Sequence, residues 1–212
     1  MHSDGRDTVE ALLDAARAAD LDGIAITDHD EFAPSERAAD LAAEYGLVGI
    51  PGIEVSTAAG HLLGLGIDRK IERGRSFRAT VDAIHDAGGI AVVPHPFQEL
   101  RKGVLGAIPR EELKAADAIE VYNSRLFTGR ANRQADRLAE TYGMPKTAGS
   151  DAHVAQMVGQ ARTLVETDER TTEGVLNAIR EGKTTVQGRR TPYRLTLRQV
   201  AGSATRRARE FF

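Results

Sequence analysis

The chain has 212 residues, 41% hydrophobic and 28% charged, the balance of a soluble α/β domain with a substantial core, and no apolar run approaches the roughly 20 residues that would span a bilayer. It has no cysteine, which excludes disulfides, thiolate ligands and cysteine nucleophiles, so a bound metal would rest on His, Asp and Glu. The net charge of −3 hides an asymmetry: residues 183–210 hold eight of the 28 basic residues and one of the 31 acidic ones, leaving 20 basic against 30 acidic residues elsewhere.

Thr8 can cap a helix whose apolar and small positions, Val9, Leu12, Leu13, Ala16 and Ala19, recur at helical spacing up to Asp20. Gly23 then releases the chain into an apolar strand, Ile24 to Thr27, which ends abruptly in Asp28, His29 and Asp30. Three ionisable residues just past a buried parallel strand are costly to bury, so they face a cleft or a metal. Pro34 opens a second helix to about Tyr45, Gly46 ends it, and Leu47 to Ile50 reads as a short strand. After Pro51-Gly52 comes Ile53 to Thr57, in which Glu54 stands alone among apolar neighbours, and His61 opens a strand to Ile67.

A connection rich in basic residues leads to a helix from Phe77 to Ala87, ended by Gly88-Gly89, and then to the strand Ile90 to Val93. Pro94-His95-Pro96 closes it, and a residue between two prolines is expected to be extended. A short helix from Pro109 precedes the strand Ala118 to Tyr122, which runs into Asn123-Ser124-Arg125. A helix from Gly129 to Tyr142 leads to a strand near Pro145 to Ala148 that ends in Gly149-Ser150-Asp151-Ala152-His153. Arg162 to Glu166, a helix from about Thr172 to Arg180, and Thr184 to Gln187 complete the alternation. About seven strands with helices between them, and polar residues clustered after nearly every strand, predict a barrel of parallel strands. One domain over residues 1–190 and a basic tail over 191–212 follow; the tail either touches nucleic acid or is a solvated helix.

Of six histidines, His29, His61, His95 and His153 each sit at a strand boundary, whereas His85 lies inside a helix and reads as a surface residue. Joined by Asp28, Glu54 and Asp151, the four form the donor set of a polynuclear site, since imidazoles and carboxylates suit Zn, Mn or Fe. A carboxylate that bridges two ions can organise a shared water, and Glu54 is the residue for that role. Serine nucleophile elbows, phosphate-cradling loops and dinucleotide fingerprints are missing.

Taken together, Ser3-Asp4-Gly5, ITDHD (Ile26 to Asp30), PGIEVS (Pro51 to Ser56), the strand with His61, VPHP (Val93 to Pro96), IEVYN (Ile119 to Asn123) and GSDAH (Gly149 to His153) resemble the PHP (polymerase and histidinol phosphatase) family over about residues 3 to 188. The resemblance implies a distorted (βα)7 TIM-like barrel with two or three divalent metal ions (Mn, Zn, Fe or Mg). It assigns Glu54 and Asp151 to one ion, Glu54, His61 and His95 to a second, and Asp4, His29 and His153 to a third. The family's His-x-His pair on the first strand finds no counterpart before Ser3. Either the start is misplaced, with a preceding strand encoded upstream of Met1, or the chain lacks two ligands and one barrel strand; the first is the expectation, because the other motifs are intact. The inserted cap of the family's nucleotide phosphatases is not matched either, as only some 55 residues separate His95 from Asp151, so a nucleotide substrate is not specifically implied.

The reading that follows is a phosphoric ester hydrolase acting on a phosphomonoester, a nucleotide or a nucleic-acid end, by metal-activated water. Arg125, past a strand end, either clamps the phosphate with its guanidinium fork or pairs with a neighbouring carboxylate. Asp28 orients a ligand without holding an ion itself. The alternatives are a histidinol-phosphatase-like activity and a degenerate domain that binds metal or nucleic acid without turnover. The partners expected are a phosphorylated small molecule or nucleotide, with nucleic acid through the tail and no membrane, in a cytoplasmic setting.

Overall fold

A computed structural model describes residues 7–97, 103–125 and 129–190; the expected ligand Asp4 and the basic tail from residue 191 lie outside the described residues. In chain order the elements are α1 (Val9–Ala18), β1 (Gly23–Ile26), α2 (Ala33–Ala42), β2 (Val48–Ser56), β3 (His61–Leu65), α3 (Phe77–Asp86) and β4 (Ile90–Val93). They continue as β5 (Ala118–Asn123), α4 (Gly129–Tyr142), β6 (Lys146–Gly149), β7 (Ala161–Val165), α5 (Thr172–Arg180) and β8 (Thr184–Gly188). Local chemistry accounts for the helix starts. Thr8 Oγ1 accepts from Ala11 N, Ser76 Oγ from Ala79 N and Thr171 Oγ1 from Gly174 N, each satisfying an amide that the first turn leaves without a partner.

Six strands form one curled sheet in the order β1-β2-β3-β4-β5-β6, a half-barrel rather than the closed barrel of parallel strands expected. Two features depart from that expectation. First, β3 runs antiparallel to both β2 and β4, so only the β1–β2 pair and the β4–β5–β6 set are parallel. The connection Thr57–Gly60 is short, with Thr57 N donating to Gly60 O, and a turn of that length returns the chain beside itself instead of carrying it across the sheet. Second, among the described residues the sheet has two edges, β1 and β6, while β7 and β8 form a separate antiparallel hairpin. Threonine hydroxyls tie that hairpin to β6: Thr163 Oγ1 accepts from Ala148 N (2.9 Å), and Thr184 Oγ1 donates to Lys146 O (2.7 Å).

β2 is a single nine-residue strand that runs through Pro51, where the sequence suggested a break. Its first half pairs with β1 up to Pro51 and its second half with β3 from Gly52, so the proline sits where pairing passes from one neighbour to the other. The crossing brings α2 close beneath the strand: a side chain at Gly49 would meet Ala39 Cα and O at 2.5 Å.

Strand periodicity divides the core. In β4 the side chains of Ile90 and Val92 join Ala118, Leu176 and Ile179 on one face, packed under α5. Ala91 and Val93 face the other way, into a larger cluster with Ile53, Val55, Leu62, Ile119 and the α3 residues Phe77, Val81 and Ile84. Each fully buried side chain of this size contributes roughly 1.5–3 kcal/mol. That double-sided core stiffens the strands whose ends carry the ionisable residues.

Candidate metal centre

All the histidines read as candidates reach one end of the sheet, because β3 starts where β1, β2, β4, β5 and β6 end. Past β1 the chain keeps shadowing β2: Glu54 N donates to Asp28 O (3.1 Å) and Asp30 N to Glu54 O (2.9 Å), which sets His29 directly beside Glu54. Asp30 supports this run from φ +54, a left-handed conformation that aspartate tolerates, with its Oδ1 accepting from Ser56 N at 2.8 Å. The β2–β3 hairpin delivers His61 to the same carboxylate, and the turn after β4 delivers His95.

The Glu54 carboxylate is the focus of this half of the site. His61 Nδ1 lies 2.9 Å and His95 Nε2 3.3 Å from its Oε1, and His29 Nδ1 lies 3.4 Å from its Oε2. The rings pack against one another, with centroids 4.7 Å apart for His29 and His61 and 5.8 Å for His61 and His95. His61 Nδ1 is near Glu54 but off the hydrogen-bonding axis, so it and His95 Nδ1 are buried ring nitrogens without a hydrogen-bond partner. Burial alone would push the Glu54 carboxyl up. Its contacts with His61 and His95 and the charge of His29 outweigh this and hold it well below the usual carboxylate range. Burial works against charge on His95 too, yet contact with Glu54 and the negative charge of Glu120 raise its pKa.

His95 departs from the extended conformation expected between two prolines: its φ is +29. The tertiary setting overrides the local preference, because Glu120 Oε2 accepts from His95 N at 2.9 Å and the ring must turn to meet Glu54.

The second half of the site lies past β5 and β6. Arg125 Nη1 is 2.8 Å from Asp151 Oδ1 and sits against the His153 ring, 2.7 Å from Nε2 and 2.8 Å from Nδ1. His153 Nδ1 also lies 3.0 Å from Asp151 O. The sequence left open whether Arg125 clamps a phosphate or pairs with a carboxylate; in this structure it pairs with Asp151, itself in the left-handed region at φ +47. Asn123 joins the halves, donating Nδ2 to Glu120 Oε2 (3.1 Å) and Asp151 Oδ2 (3.2 Å).

Two of these residues, Glu120 and Asn123, the sequence reading passed over as site residues. The signal was present, for Glu120 stands between Ile119 and Val121 in a strand just as Glu54 stands between Ile53 and Val55. Burial pushes the Glu120 carboxyl up to about 7; the charge of Asp151 adds to this, while His95 and Asn123 oppose it. His85 is exposed, as expected, and lies 2.8 Å from Asp117, within the helix α3 and away from these strand ends. A cleft of about 680 Å³ between Ala18–Asp20, Val158–Arg162 and Gln187–Arg189 contains none of the converging residues.

The first half fits a divalent ion on its own chemistry. One donor atom each from His29, Glu54 and His61 lie within 4.8 Å of one another, and the ring nitrogens left without hydrogen bonds are the donor type such ions take. No lysine or arginine is paired with Glu54 among the described residues.

Residues 129–184 match the family model described as PHP-associated. An uncharacterised protein from Methanocaldococcus jannaschii is 34% identical over 116 residues, which cover 53% of this chain and 49% of that protein, so the chain matches about half the length of this relative. Among solved structures, a two-domain protein from Bacteroides vulgatus containing a predicted PHP-like metal-dependent phosphoesterase aligns with TM-score 0.72 and 20% identity, over 89% of this chain and 62% of that one. An amidohydrolase from Chromobacterium violaceum, with bound sulfate and no metal, aligns with TM-score 0.61 and 18% identity over 93% of both chains. At these identities the solved structures share the fold.

Proposed function

From the premise that this chain belongs to the PHP family, we propose that it is a metal-dependent phosphoesterase acting on a phosphomonoester, such as a nucleotide or the end of a nucleic acid. The observation that carries the reading is the convergence of His29, His61 and His95 on the Glu54 carboxylate, with no lysine or arginine paired to it among the described residues. His29, Glu54, His61 and His95 would hold one part of the centre, and Asp151 and His153 another, with Asp4 as a further candidate. Divalent ions bound there would supply Lewis acidity toward phosphoryl oxygen and a water of lowered pKa.

The chain's own residues set up that chemistry. Glu54 brings negative charge to the meeting point of three strands, where two ions could share it. Arg125 pairs with Asp151 and lies against His153, and its guanidinium fork matches two oxygens of a phosphate. To use it, the arginine would exchange Asp151 for the substrate, leaving Asp151 and His153 to an ion. The sulfate held by the Chromobacterium violaceum amidohydrolase supports an oxyanion ligand on this fold. Asp28, whose carbonyl accepts from Glu54 N, would help set Glu54.

One observation favours a second reading, a domain that binds metal or nucleic acid without turnover: Arg125 already neutralises Asp151 from within the protein. Phosphate release from p-nitrophenyl phosphate by the full chain with added Mn²⁺ decides between them. Release that a chelator abolishes supports the phosphoesterase, and bound Mn²⁺ without release supports the binding domain. The histidinol-phosphatase-like alternative is tested by offering histidinol phosphate in the same assay.

A further inference from the structure

Glu120 is the most deeply enclosed carboxylate near the centre, 5% exposed in the middle of β5, and it is not among the donors that converge on one another. Its contacts reach three strands. Oε2 accepts from His95 N just past β4 (2.9 Å) and from Asn123 Nδ2 at the end of β5 (3.1 Å). The same Asn123 amide reaches Asp151 Oδ2 past β6 (3.2 Å). Oε1 lies against Gly149, where an added Cβ would press into it. A register shift between Glu120 and Tyr122 in the β5–β6 pairing bends the strand at this point, the kind of irregularity that re-aims a side chain.

His95 needs such support. Its φ of +29 lies in a region that residues with a side chain rarely adopt, and the following Pro96 narrows its choices further. Left to itself the Pro-His-Pro segment would relax toward an extended form and swing the ring away from Glu54. A backbone N–H captured by a buried carboxylate opposes that relaxation.

We propose that Glu120 is a positioning residue: its carboxylate holds the His95 turn that aims the imidazole at Glu54 and, through Asn123, sets the direction of Asp151. Both halves of the centre are then built against one buried acid that binds no ion itself. The inference rests on the reading of the centre as a metal site.

The test is Mn²⁺ affinity of the full chain by titration calorimetry, with the Co²⁺ absorption spectrum as a report on ligand geometry. Glu120→Gln keeps the shape and one oxygen able to accept from both His95 N and Asn123, so its Mn²⁺ affinity should stay within about threefold of the parent. Glu120→Leu removes the acceptor and should weaken Mn²⁺ binding by about 10–100-fold with an altered Co²⁺ spectrum, the scale for losing a group that orients a ligand. Gly149→Ala leaves Glu120 chemically intact but displaces it, and should weaken Mn²⁺ binding by roughly tenfold, which decides the matter if Glu120→Leu does not fold. Parent protein that binds no Mn²⁺ would overturn the metal-site reading and this inference with it. Parent protein that binds while Glu120→Leu or Gly149→Ala binds equally well, with an unchanged spectrum, would overturn the positioning role alone. A Glu120→Gln variant as impaired as Glu120→Leu would also overturn it, since charge and not hydrogen-bond geometry would then be what Glu120 provides.

Discussion

The two halves of the centre use the same residue types and reach opposite electrostatic solutions. Around Glu54, three imidazoles from three strand ends face one carboxylate, and among the described residues no lysine or arginine is paired with it. Around Asp151, an imidazole and a carboxylate are gathered about the guanidinium of Arg125, 11% exposed. A carboxylate enclosed without a fixed positive partner is costly unless protons or an external cation compensate it. On the proposed reading an ion meets that need in the first half, whereas in the second Arg125 already pairs with Asp151 and would have to be displaced. The difference predicts an order of filling: metal first at Glu54, and at Asp151 only when Arg125 turns to another anion.

The largest expected effect is at Glu54. Replacing it by glutamine keeps the volume and removes the charge on which the first half depends, so turnover should fall by at least about a hundredfold, typical of losing a central electrostatic group. Bound metal should fall too while circular dichroism stays that of the parent. Near-normal turnover at full metal occupancy would remove Glu54 from the site and dissolve the contrast between the halves.

Metal removal sharpens the comparison through stability. An ion that binds only the folded chain adds about 2.7 kcal/mol at a hundred times its dissociation constant. For a domain of this size, at roughly 2–4 °C per kcal/mol, Mn²⁺ should raise the melting temperature by about 5–10 °C and EDTA should reverse the rise. Glu54→Gln should flatten this response and Arg125→Met should not; equal loss in both variants would mean that the halves act as one site.

Arg125→Met tests the second half directly. Without the guanidinium, Asp151 and His153 should take up metal more readily, seen as higher Mn²⁺ stoichiometry at fixed concentration, while inorganic phosphate inhibits about tenfold more weakly for loss of a charge-assisted clamp. If both quantities stay at parent values, Arg125 serves only to pair Asp151.

The smallest effect is expected at His85, which resembles the site histidines in having a carboxylate beside it, that of Asp117 at 2.8 Å. Asp117 also accepts from Ala91 N at 2.7 Å and so keeps a partner when the imidazole is removed. His85→Ala should leave turnover and metal content unchanged and cost roughly 0.5–1.5 kcal/mol of stability. A loss of bound metal would show that proximity to a carboxylate, and not convergence on Glu54, marks the functional histidines.

Much of this site could be read along the chain, for reasons that are local. Apolar runs that stop in Asp28-His29-Asp30 or Ser150-Asp151-Ala152-His153 state their own strand ends, since ionised groups cannot continue into a core. A lone Glu54 between Ile53 and Val55 announces a partly buried carboxylate in the same way, and Thr8, Ser76 and Thr171 mark helix starts through their own side chains. What these signals do not carry is partnership. That β3 turns back antiparallel and seats His61 at Glu54, that pairing passes across Pro51 from β1 to β3, and that Arg125 chooses Asp151 are all matters of register between segments far apart in the chain. His95 shows the limit most clearly. Its two flanking prolines ask for an extended backbone, and it is the hydrogen bond to Glu120, 25 residues away, that accompanies the left-handed turn instead. Local preferences amount to a kcal/mol or so, and a through-space bond between buried, oppositely polar groups is large enough to override them.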